Sequence, residues 1–333
     1  MQSTNSTILV TGGTGFIGSY VVDELGRRGL SCRVLAREVR RGSLDPGGLV
    51  DLVIGDILDQ NCVRESMRDV SHVIHLAAAV TGWAANPSLF HDVNVIGTRN
   101  VLQAAVQEGV GSFVHVSSGS AIDFIGDGIR DERAIVTRVR NTTEYGKSKA
   151  LAEQEVDRKT KEGLHTTIVY PTRVFGIGPL DDSNAATRVI DAYLRGRLPV
   201  LPGNGMSFAN WGYVNDIAVG IVQALFRGSP GGRYILGGEN SRLRDIFAMA
   251  RSIAGRYPVC IPVPLSVGRA VASLEEVRAR LFRSRPRITR AWYDGVFEDT
   301  RLSCARASAE IGYGITPLRR AMEEVVRWLT QGK

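Results

Sequence analysis

Tyr145 and Lys149 are the residues whose types and spacing point most directly to chemistry. They stand four residues apart in a segment, Thr142–Lys161, that is predicted to be helical, so their side chains share one helix face. A phenol with an ordinary pKa of about 10 is protonated at neutral pH, and a neighbouring ammonium favours the phenolate and lowers that pKa. Tyr145 is therefore predicted to donate a proton to a ketone oxygen, or to remove one from an alcohol, near neutral pH.

A group of serines follows the apolar run Ser112–Val116. If that run is a strand of a parallel sheet, Ser117, Ser118 and Ser120 lie at its carboxyl end, where open α/β sheets bind ligands. A hydroxyl there can hydrogen-bond a substrate oxygen and stabilise the charge that develops on it. From the residues alone, the three serines are competing candidates for the hydroxyl that binds the substrate oxygen.

A glycine-rich loop, Thr11–Gly18 with the sequence TGGTGFIG, joins the first predicted strand to a predicted helix at Phe16–Arg28. Its glycines permit a tight turn, a close approach of the backbone to a pyrophosphate, and close packing of the helix on the strand. The N-terminus of the helix offers unpaired N–H groups and the positive end of the helix dipole to phosphates. The loop therefore predicts a dinucleotide cofactor.

The end of the second predicted strand bears on which dinucleotide is bound. An acid is expected there if the adenosine ribose has a free 2′-OH, but the position holds Ala36 and Arg37 follows it. A guanidinium at this place can pair with a 2′-phosphate, and Arg40 and Arg41 are close in sequence. Glu38 offers an alternative contact to a ribose. The pattern favours NADP(H), with NAD(H) as the alternative.

Apolar runs alternate with helical patterns over the first 175 residues, which predicts an α/β fold with a parallel sheet covered on both faces. The predicted strands are Ser6–Val10, Cys32–Ala36, Leu49–Ile54, Val70–Ala79, Ser112–Val116 and Thr166–Val169, and the longer helices between them are Val93–Gln107 and Thr142–Lys161. Gly and Pro break up the pattern after Pro171, and the later elements are a strand at Arg233–Leu236 and helices at Leu243–Ala254 and Leu318–Leu329. We expect a Rossmann-type, doubly wound NAD(P)-binding domain at 1–175. A smaller C-terminal substrate-binding lobe, with excursions back to the sheet, is expected at 176–333.

Several motifs resemble those of the extended short-chain dehydrogenase/reductase family. They are TGGTGFIG, Gly55-Asp56, the segment His75–Ala79, Asn94–Thr98, Tyr145-Gly-Lys-Ser-Lys149 and Tyr170–Gly176, in the family's order. The resemblance implies that Ser118 is the catalytic serine beside Tyr145 and Lys149, and that Asn94 holds local backbone or a relay water. It also implies a homodimer through the helices Val93–Gln107 and Thr142–Lys161. The family's dehydratases carry an Asp-Glu pair where this chain has Gly119 and Ser120, so dehydration is disfavoured.

The predicted cofactor contacts follow from the loop, from Arg37 and from the resemblance, which places Asp56 and Ile57 beside the adenine. They are Gly12, Thr14, Gly15, Phe16, Ile17, Gly18, Arg37, Asp56, Ile57, Leu76, Ala77, Ala78, Tyr145, Lys149, Pro171 and Val174. No metal site is predicted, and the substrate is expected to be a small molecule.

Three functions are compatible with these residues. A reductase or alcohol dehydrogenase similar to the dihydroflavonol reductase and 3β-hydroxysteroid dehydrogenase branch is favoured by Arg37, since reductive enzymes generally use NADPH. A nucleotide-sugar epimerase with tightly held NAD is favoured by Arg173, which could bind a pyrophosphate. A catalytically silent dinucleotide-binding protein is disfavoured by the intact Ser118, Tyr145 and Lys149. The side chains that could line a bulky apolar pocket are Trp83, Phe90, Phe124, Met206, Phe208 and Trp211.

Composition narrows the remaining classes of function and location. The chain has 333 residues, a net charge of +7 and a pI near 9.4, but its arginines are scattered apart from six between Arg278 and Arg290. That cluster is expected to form a solvated face, and no aromatic-interleaved basic motif indicates nucleic acid. The four cysteines are far apart in sequence, which argues against a disulfide framework or a zinc site. With no signal peptide and no long apolar run in the sequence, a cytoplasmic location is expected.

Overall fold

Seven parallel strands form the central sheet of the computed structural model. In spatial order they are β3 (Val50–Ile54), β2 (Cys32–Ala36), β1 (Thr7–Thr11), β4 (Val70–His75), β5 (Ser112–Val116), β6 (Thr166–Pro171) and β10 (Gly232–Leu236). The described residues are 7–38, 48–81, 86, 88–122, 128–135, 143–197, 200–256, 260–282, 284, 286, 288–295 and 297–331. The strand order reverses between β1 and β4, which creates the crevice where such sheets bind ligands.

Helices cover both faces of this sheet, which confirms the predicted doubly wound α/β fold. α1 (Phe16–Arg27) packs against α7 (Val214–Arg227) on one face, and α2 (Gln60–Ser66), α4 (Gly97–Gln107) and α5 (Glu144–Lys161) form the other. The short α3 (Ser88–His91) and a π-helical turn at Asp92–Ile96 lead into α4. The central strand β1 is apolar at Ile8, Leu9 and Val10 because both of its faces are buried.

A second group of elements forms a lobe around its own apolar core. Its strands are β7 (Arg173–Phe175), β8 (Val200–Pro202), β9 (Phe208–Tyr213), β11 (Glu239–Arg242) and β12 (Ile261–Val263). Its helices are α6 (Ala185–Leu194), α8 (Leu243–Ala254), α9 (Leu265–Leu281), α10 (Arg290–Gly295) and α12 (Leu318–Gln331). β11, β9 and β7 form one small sheet, and β12 pairs with β8. α12 buries an apolar stripe against α8, as its helical spacing predicts.

Three elements that follow residue 176 return to the central sheet. β10 is the seventh strand of that sheet, and α7 packs on β5 and β6, with α11 (Ala305–Ile311) behind β10. The substrate-binding role of the lobe and the boundary near 175 stay predictions. Within the described part of the chain, no helix is both long and apolar enough to cross a membrane.

Several predicted boundaries differ from the observed ones for local reasons. The predicted strand Val70–Ala79 ends at His75, since the next residues turn across the crevice. The predicted helix Val93–Gln107 begins as the π-helical turn rather than as α4. Thr142, predicted to start the helix of Tyr145, lies outside the described residues, and α5 begins at Glu144 with Thr143 as its N-cap.

Candidate active site

The glycine loop lies at the carboxyl end of β1, where the strand order reverses. Gly12 has a φ of +73°, and a Cβ there would lie 2.7 Å from the backbone nitrogen of Ala77. A Cβ at Gly18 would lie 2.1 Å from the carbonyl oxygen of Gly12. Both positions therefore require glycine, because the backbones of β1, α1 and the segment after β4 approach too closely for any side chain.

The loop also fits the phosphates of a dinucleotide. Gly15 is the N-cap of α1 and supplies no side-chain cap, and no acidic residue occupies the first turn. A Cβ at Gly15 would meet only the carbonyl of Gly12 within 4 Å among the described atoms, so the space before the helix is open. Thr14 is half-buried in the same turn. The first N–H groups of a 12-residue helix thus face an open space suited to an anion.

The predicted contacts Phe16 and Ile17 turn their side chains away from that space. Phe16 is 3% exposed and packs edge-on against Tyr20 in the core of the lobe, and half-buried Ile17 packs against the same core. A contact from these two residues to a phosphate would therefore come from their main-chain N–H groups.

The middle of the crevice is formed by the segment after β4. Leu76, Ala77 and Ala78 are half-buried, and the backbone N–H of Leu76 donates to Thr11 O at 3.0 Å. Thr11 Oγ1 also accepts from the backbone N–H of Ala77 at 3.2 Å. The three residues thus follow β4 at the crevice and are held by β1, and their contact with the cofactor stays a prediction.

Asp56 and Ile57 occupy the corresponding position after β3. Asp56 is half-buried and accepts from the backbone N–H of Leu58 at 3.0 Å, whereas the Ile57 side chain is buried against Gly97. Arg37 is exposed directly after β2, and Arg40 and Arg41 lie outside the described residues. The predicted adenosine contacts therefore lie at the ends of two neighbouring strands.

Asn94 fixes the segment that follows β4 to helix α5. Its Oδ1 accepts from the backbone N–H of Ala79 at 2.7 Å, and its Nδ2 donates to Ser148 Oγ at 2.8 Å. Asn94 is 1% exposed and lies in the π-helical turn, a distortion that often accompanies functional sites. The resemblance implies two roles for Asn94, and these contacts agree with the role of holding local backbone.

Ser118, Tyr145 and Lys149 come together at the carboxyl end of β5. The Ser118 side chain lies beside that of Tyr145, where it acts to lower the tyrosine pKa, and both residues are half-buried. Lys149 is 3% exposed, and its Nζ donates to Val116 O at 2.7 Å. Pro171 lies beside this group, since a Cβ at Gly119 would approach the Pro171 carbonyl oxygen to 3.3 Å, whereas half-buried Val174 lies in β7, where it pairs with Gly212.

The expected lowering of the Tyr145 pKa by Lys149 is wrong for this structure. Burial raises the pKa of Tyr145, and the neighbouring Ser118 side chain opposes that change without overcoming it. The Lys149 ammonium is turned onto the carbonyl of Val116 instead, and burial lowers its own pKa to about 8. The residue that eases ionisation of Tyr145 here is therefore Ser118.

A buried ionic network behind α5 was not predicted from the sequence. Glu153, one turn beyond Lys149, accepts from Ser117 Oγ at 2.5 Å, from Tyr170 OH at 2.7 Å and from Arg233 Nη1 at 2.8 Å. Arg233 Nη2 also donates to both carboxylate oxygens of Asp157 at 2.7 Å. The hydrogen-bonded partners in this network are up to 80 positions apart in sequence, and only the i, i+4 spacing of Lys149 and Glu153 could have indicated it. Ser117 thus uses its hydroxyl in this structural network, whereas Ser118 faces Tyr145.

Two buried histidines lie beneath the site. His75 Nδ1 is 2.7 Å from Thr11 Oγ1, and His75 Nε2 is 3.0 Å from Thr98 Oγ1. Thr98 donates its own hydrogen to Asn94 O, so His75 must donate through Nε2 and accept through Nδ1. Burial lowers the pKa of His75 to about 3 and that of His115 well below its usual range.

Arg173 and some of the predicted pocket residues also lie near the crevice. The Arg173 guanidinium lies 5.3 Å from the ring centre of Trp211, and no carboxylate in the described part of the chain pairs with it. Phe90 contacts the Tyr145 ring edge-on at 6.3 Å. Trp211 is 2% exposed and belongs to the lobe core, and Phe208 lies beneath Arg242. Trp83 and Phe124 fall outside the described residues.

Residues 8–237 match the NAD dependent epimerase/dehydratase family. The chain belongs to this family. It is 32% identical over 329 residues to a Synechocystis sp. protein named after dihydroflavonol 4-reductase, covering 96% of this chain and 93% of the relative. It is 27% identical to sterol demethylase protein B of Methylococcus capsulatus, covering 98% of both chains. The structure of a Thermus thermophilus UDP-glucose 4-epimerase complex with NAD superposes with a TM-score of 0.77 and 25% identity, covering 98% of this chain and 100% of that one.

Membership of this family confirms the extended short-chain dehydrogenase/reductase resemblance and the Rossmann fold. The protein is an NAD(P)-dependent enzyme, and its cofactor is a nicotinamide dinucleotide.

Proposed function

We propose that the protein is an NADP(H)-dependent oxidoreductase that transfers hydride between the nicotinamide and a carbonyl or secondary alcohol of a small molecule. The observation that carries the proposal is the meeting of Ser118 and Tyr145 at the end of β5, one helical turn from buried Lys149. Two hydroxyls that converge on an open edge of the sheet are suited to binding and protonating one substrate oxygen.

The residues of the site have distinct roles in this reaction. When bound, the dinucleotide supplies the hydride for reduction or accepts it in oxidation. In the reductive direction Tyr145 gives its hydroxyl proton to the substrate oxygen, and Ser118 donates a hydrogen bond to the same oxygen. In oxidation Tyr145 takes the proton back from the alcohol. One of the three N–H donors of Lys149 bonds Val116 O. No other described residue accepts from this ammonium, so the other two donors can bind the cofactor and the substrate.

The preference for NADP(H) is supported by the end of β2. Ala36 is buried and carries no acid for a ribose hydroxyl, whereas Arg37 is exposed beside it and can reach a 2′-phosphate. The Synechocystis relative named after a reductase agrees with a reductive direction.

A nucleotide-sugar epimerase with tightly bound NAD is the second candidate. Arg173 supports it, because a half-buried guanidinium without a carboxylate partner among the described residues can take a substrate phosphate. The family description and the Thermus epimerase structure support it as well. The two candidates share Ser118, Tyr145 and Lys149 and differ in the fate of the hydride.

The cofactor that co-purifies with the protein separates the two functions. Purified protein is denatured, and the released nucleotide is identified and counted. We expect little bound nucleotide, and reduction of test ketones by added NADPH. Stoichiometric NAD together with interconversion of UDP-sugars would instead establish the epimerase.

Cofactor preference is then tested at Arg37. A charged hydrogen bond contributes roughly 1.5–3 kcal/mol, so NADPH should bind at least about tenfold more tightly than NADH. Ala36→Asp/Arg37→Ala should reverse this order, because a carboxylate accepts from ribose hydroxyls and repels phosphate. Equal or tighter binding of NADH by the unmodified protein would refute the assignment of Arg37. The homodimer through α4 and α5 and the cytoplasmic location stay predictions.

A further inference from the structure

Helix α9 exposes its large apolar side chains and buries its small ones. Val267, Val271, Leu274, Val277 and Leu281, which we call the α9 stripe, are between 49% and 74% exposed. Phe282, directly after the helix, is 74% exposed. The residues turned inward are Gly268, Ala272 and Ala279, and Gly268 lies against the ring of Tyr293 in α10. α12 shows the opposite arrangement, since its stripe of Leu, Met and Val is fully covered.

The α9 stripe is one continuous face. Its members follow one another at intervals of four, three, three and four residues, which keeps them on one side of a helix. The helix has 17 residues, so the face extends for about 25 Å. Exposed apolar patches of this kind mark surfaces that bind something other than water.

The charge around the stripe indicates what that partner is. Residues 265–295 contain seven arginines and three carboxylates. Each carboxylate is engaged within the hairpin of α9 and α10: Glu275 with Arg278, Glu276 with the backbone N–H of Arg290, and Asp294 with Arg269. In sequence, residues 265–295 therefore carry more positive than negative charge, and the three acids of this segment are already occupied. Arg283, Arg285 and Arg287 belong to the arginine cluster in sequence but lie outside the described residues.

We propose that α9 is a membrane-surface helix that docks this enzyme onto anionic lipid bilayers. Aliphatic side chains and a phenylalanine enter the boundary between head groups and acyl chains, while flanking arginines contact anionic head groups. A second copy of the chain fits this face less well, since pairing two such hairpins brings arginines together without free acids to meet them. The described part of the helix lies on the bilayer and does not cross it.

Vesicle flotation tests the proposal with the full chain. Vesicles of phosphatidylcholine alone are compared with vesicles that contain about a third phosphatidylglycerol, at low and at high salt. The unmodified protein should float with the anionic vesicles at low salt, at least about tenfold more than with neutral ones, and less at high salt. Leu274→Glu/Leu281→Glu should abolish flotation without changing NADPH binding or thermal stability, because both side chains are exposed in the folded protein.

Phe226→Glu/Ile315→Glu is the matched control, since it places the same two charges at apolar positions that are 48% and 41% exposed elsewhere on the surface. This variant should float like the unmodified protein. The proposal is overturned if the unmodified protein does not float, or if the two double variants lose flotation equally. It is also overturned if the protein is an oligomer in solution that Leu274→Glu/Leu281→Glu dissociates, because a second copy would then be the partner of the α9 stripe.

Discussion

Two stretches of one face of helix α5 treat similar groups in opposite ways. In the middle of the helix, Glu153 has three hydrogen-bond donors, and Arg233 spans Glu153 and Asp157. Nearer the N-terminus of the helix, at the crevice, Tyr145 contacts Ser118, and Lys149 uses one donor on Val116 O. The neighbouring serines at the end of β5 divide in the same way, with Ser117 on the network and Ser118 on the tyrosine.

The contrast shows how one helix can hold itself in place and still present reactive groups. Buried charges whose hydrogen-bonding capacity is filled fix the position of the helix and have nothing left for a ligand. Groups whose capacity is partly unused are the ones that can bind and protonate a substrate. The predictions below separate the two stretches of this face, beginning with the largest expected effect.

Tyr145→Phe should lower kcat by about 10²–10⁴-fold, since the change removes the hydroxyl that donates the proton. Cofactor binding and thermal stability should stay close to those of the unmodified protein, because the ring contact with Phe90 is kept. Steady-state kinetics and a cofactor titration measure both quantities. A variant that retains more than about a tenth of kcat would remove Tyr145 from the role of general acid.

Arg233→Met should lower the free energy of unfolding by about 3–5 kcal/mol, because it leaves buried Glu153 without its cation. Arg99→Met is the control, since Arg99 pairs with Glu155 on the exposed side of the same helix. Exposed pairs of this kind contribute about 0–1 kcal/mol. Chemical denaturation of the two variants should show the difference, and equal losses would mean that the network does not anchor α5.

Replacing the two serines in turn should separate catalysis from stability. Ser118→Ala should lower kcat by about 10²-fold with little loss of stability, as removal of a donor to a developing oxyanion does. Ser117→Ala should cost about 1–3 kcal/mol of stability, since it leaves Glu153 short of a donor, and it should change kcat little. Ser120→Ala is the third arm, and its exposed side chain should matter to neither measurement. A larger kcat effect at Ser117 or Ser120 would show that the catalytic serine is misassigned.

His115 should make the protein sensitive to acid. Its folded pKa lies well below the ordinary value of about 6.5, so the unfolded chain binds a proton as pH falls below that value while the folded protein does not. Stability is therefore lost as pH falls, by up to about 1.4 kcal/mol per pH unit for each such histidine. His115→Phe should reduce the slope of unfolding free energy between pH 6 and pH 5 by up to that amount and leave the slope above pH 8 unchanged. An unaltered slope would contradict this account.

Local sequence signals predicted most of the fold. The strand Cys32–Ala36 and the helix Leu243–Ala254 have the predicted bounds, because a buried strand and an amphipathic helix each carry their pattern within one segment. The glycine loop was equally readable, since close backbone packing admits no other residue at positions 12 and 18.

The sequence was less informative wherever distant segments meet. Nothing near Tyr145 in the chain shows that Lys149 will bind the carbonyl of Val116, 33 residues away, so the expected direction of the tyrosine pKa was wrong. Which of Ser117, Ser118 and Ser120 is free to bind a substrate likewise depends on Glu153, which lies on helix α5 and bonds Ser117. The assignment of the predicted site residues to catalysis and cofactor binding stays a prediction.

The side chain of Phe16 limits how freely parts of this enzyme can be exchanged with those of its relatives. Phe16 belongs to the first turn of α1, the helix predicted to bind phosphate, yet its ring packs in the lobe, where a Cβ at Gly178 would approach it to 2.9 Å. Tyr20, one turn later, donates to the carbonyl of Ile177 at 2.7 Å, across 157 positions of the chain. A chimaera that joins this nucleotide-binding half to another lobe must therefore bring the residues at 16 and 20 with the lobe, despite that separation in sequence. In a recombined protein, residues 16 and 20 of α1 should therefore come from the same parent as the C-terminal half.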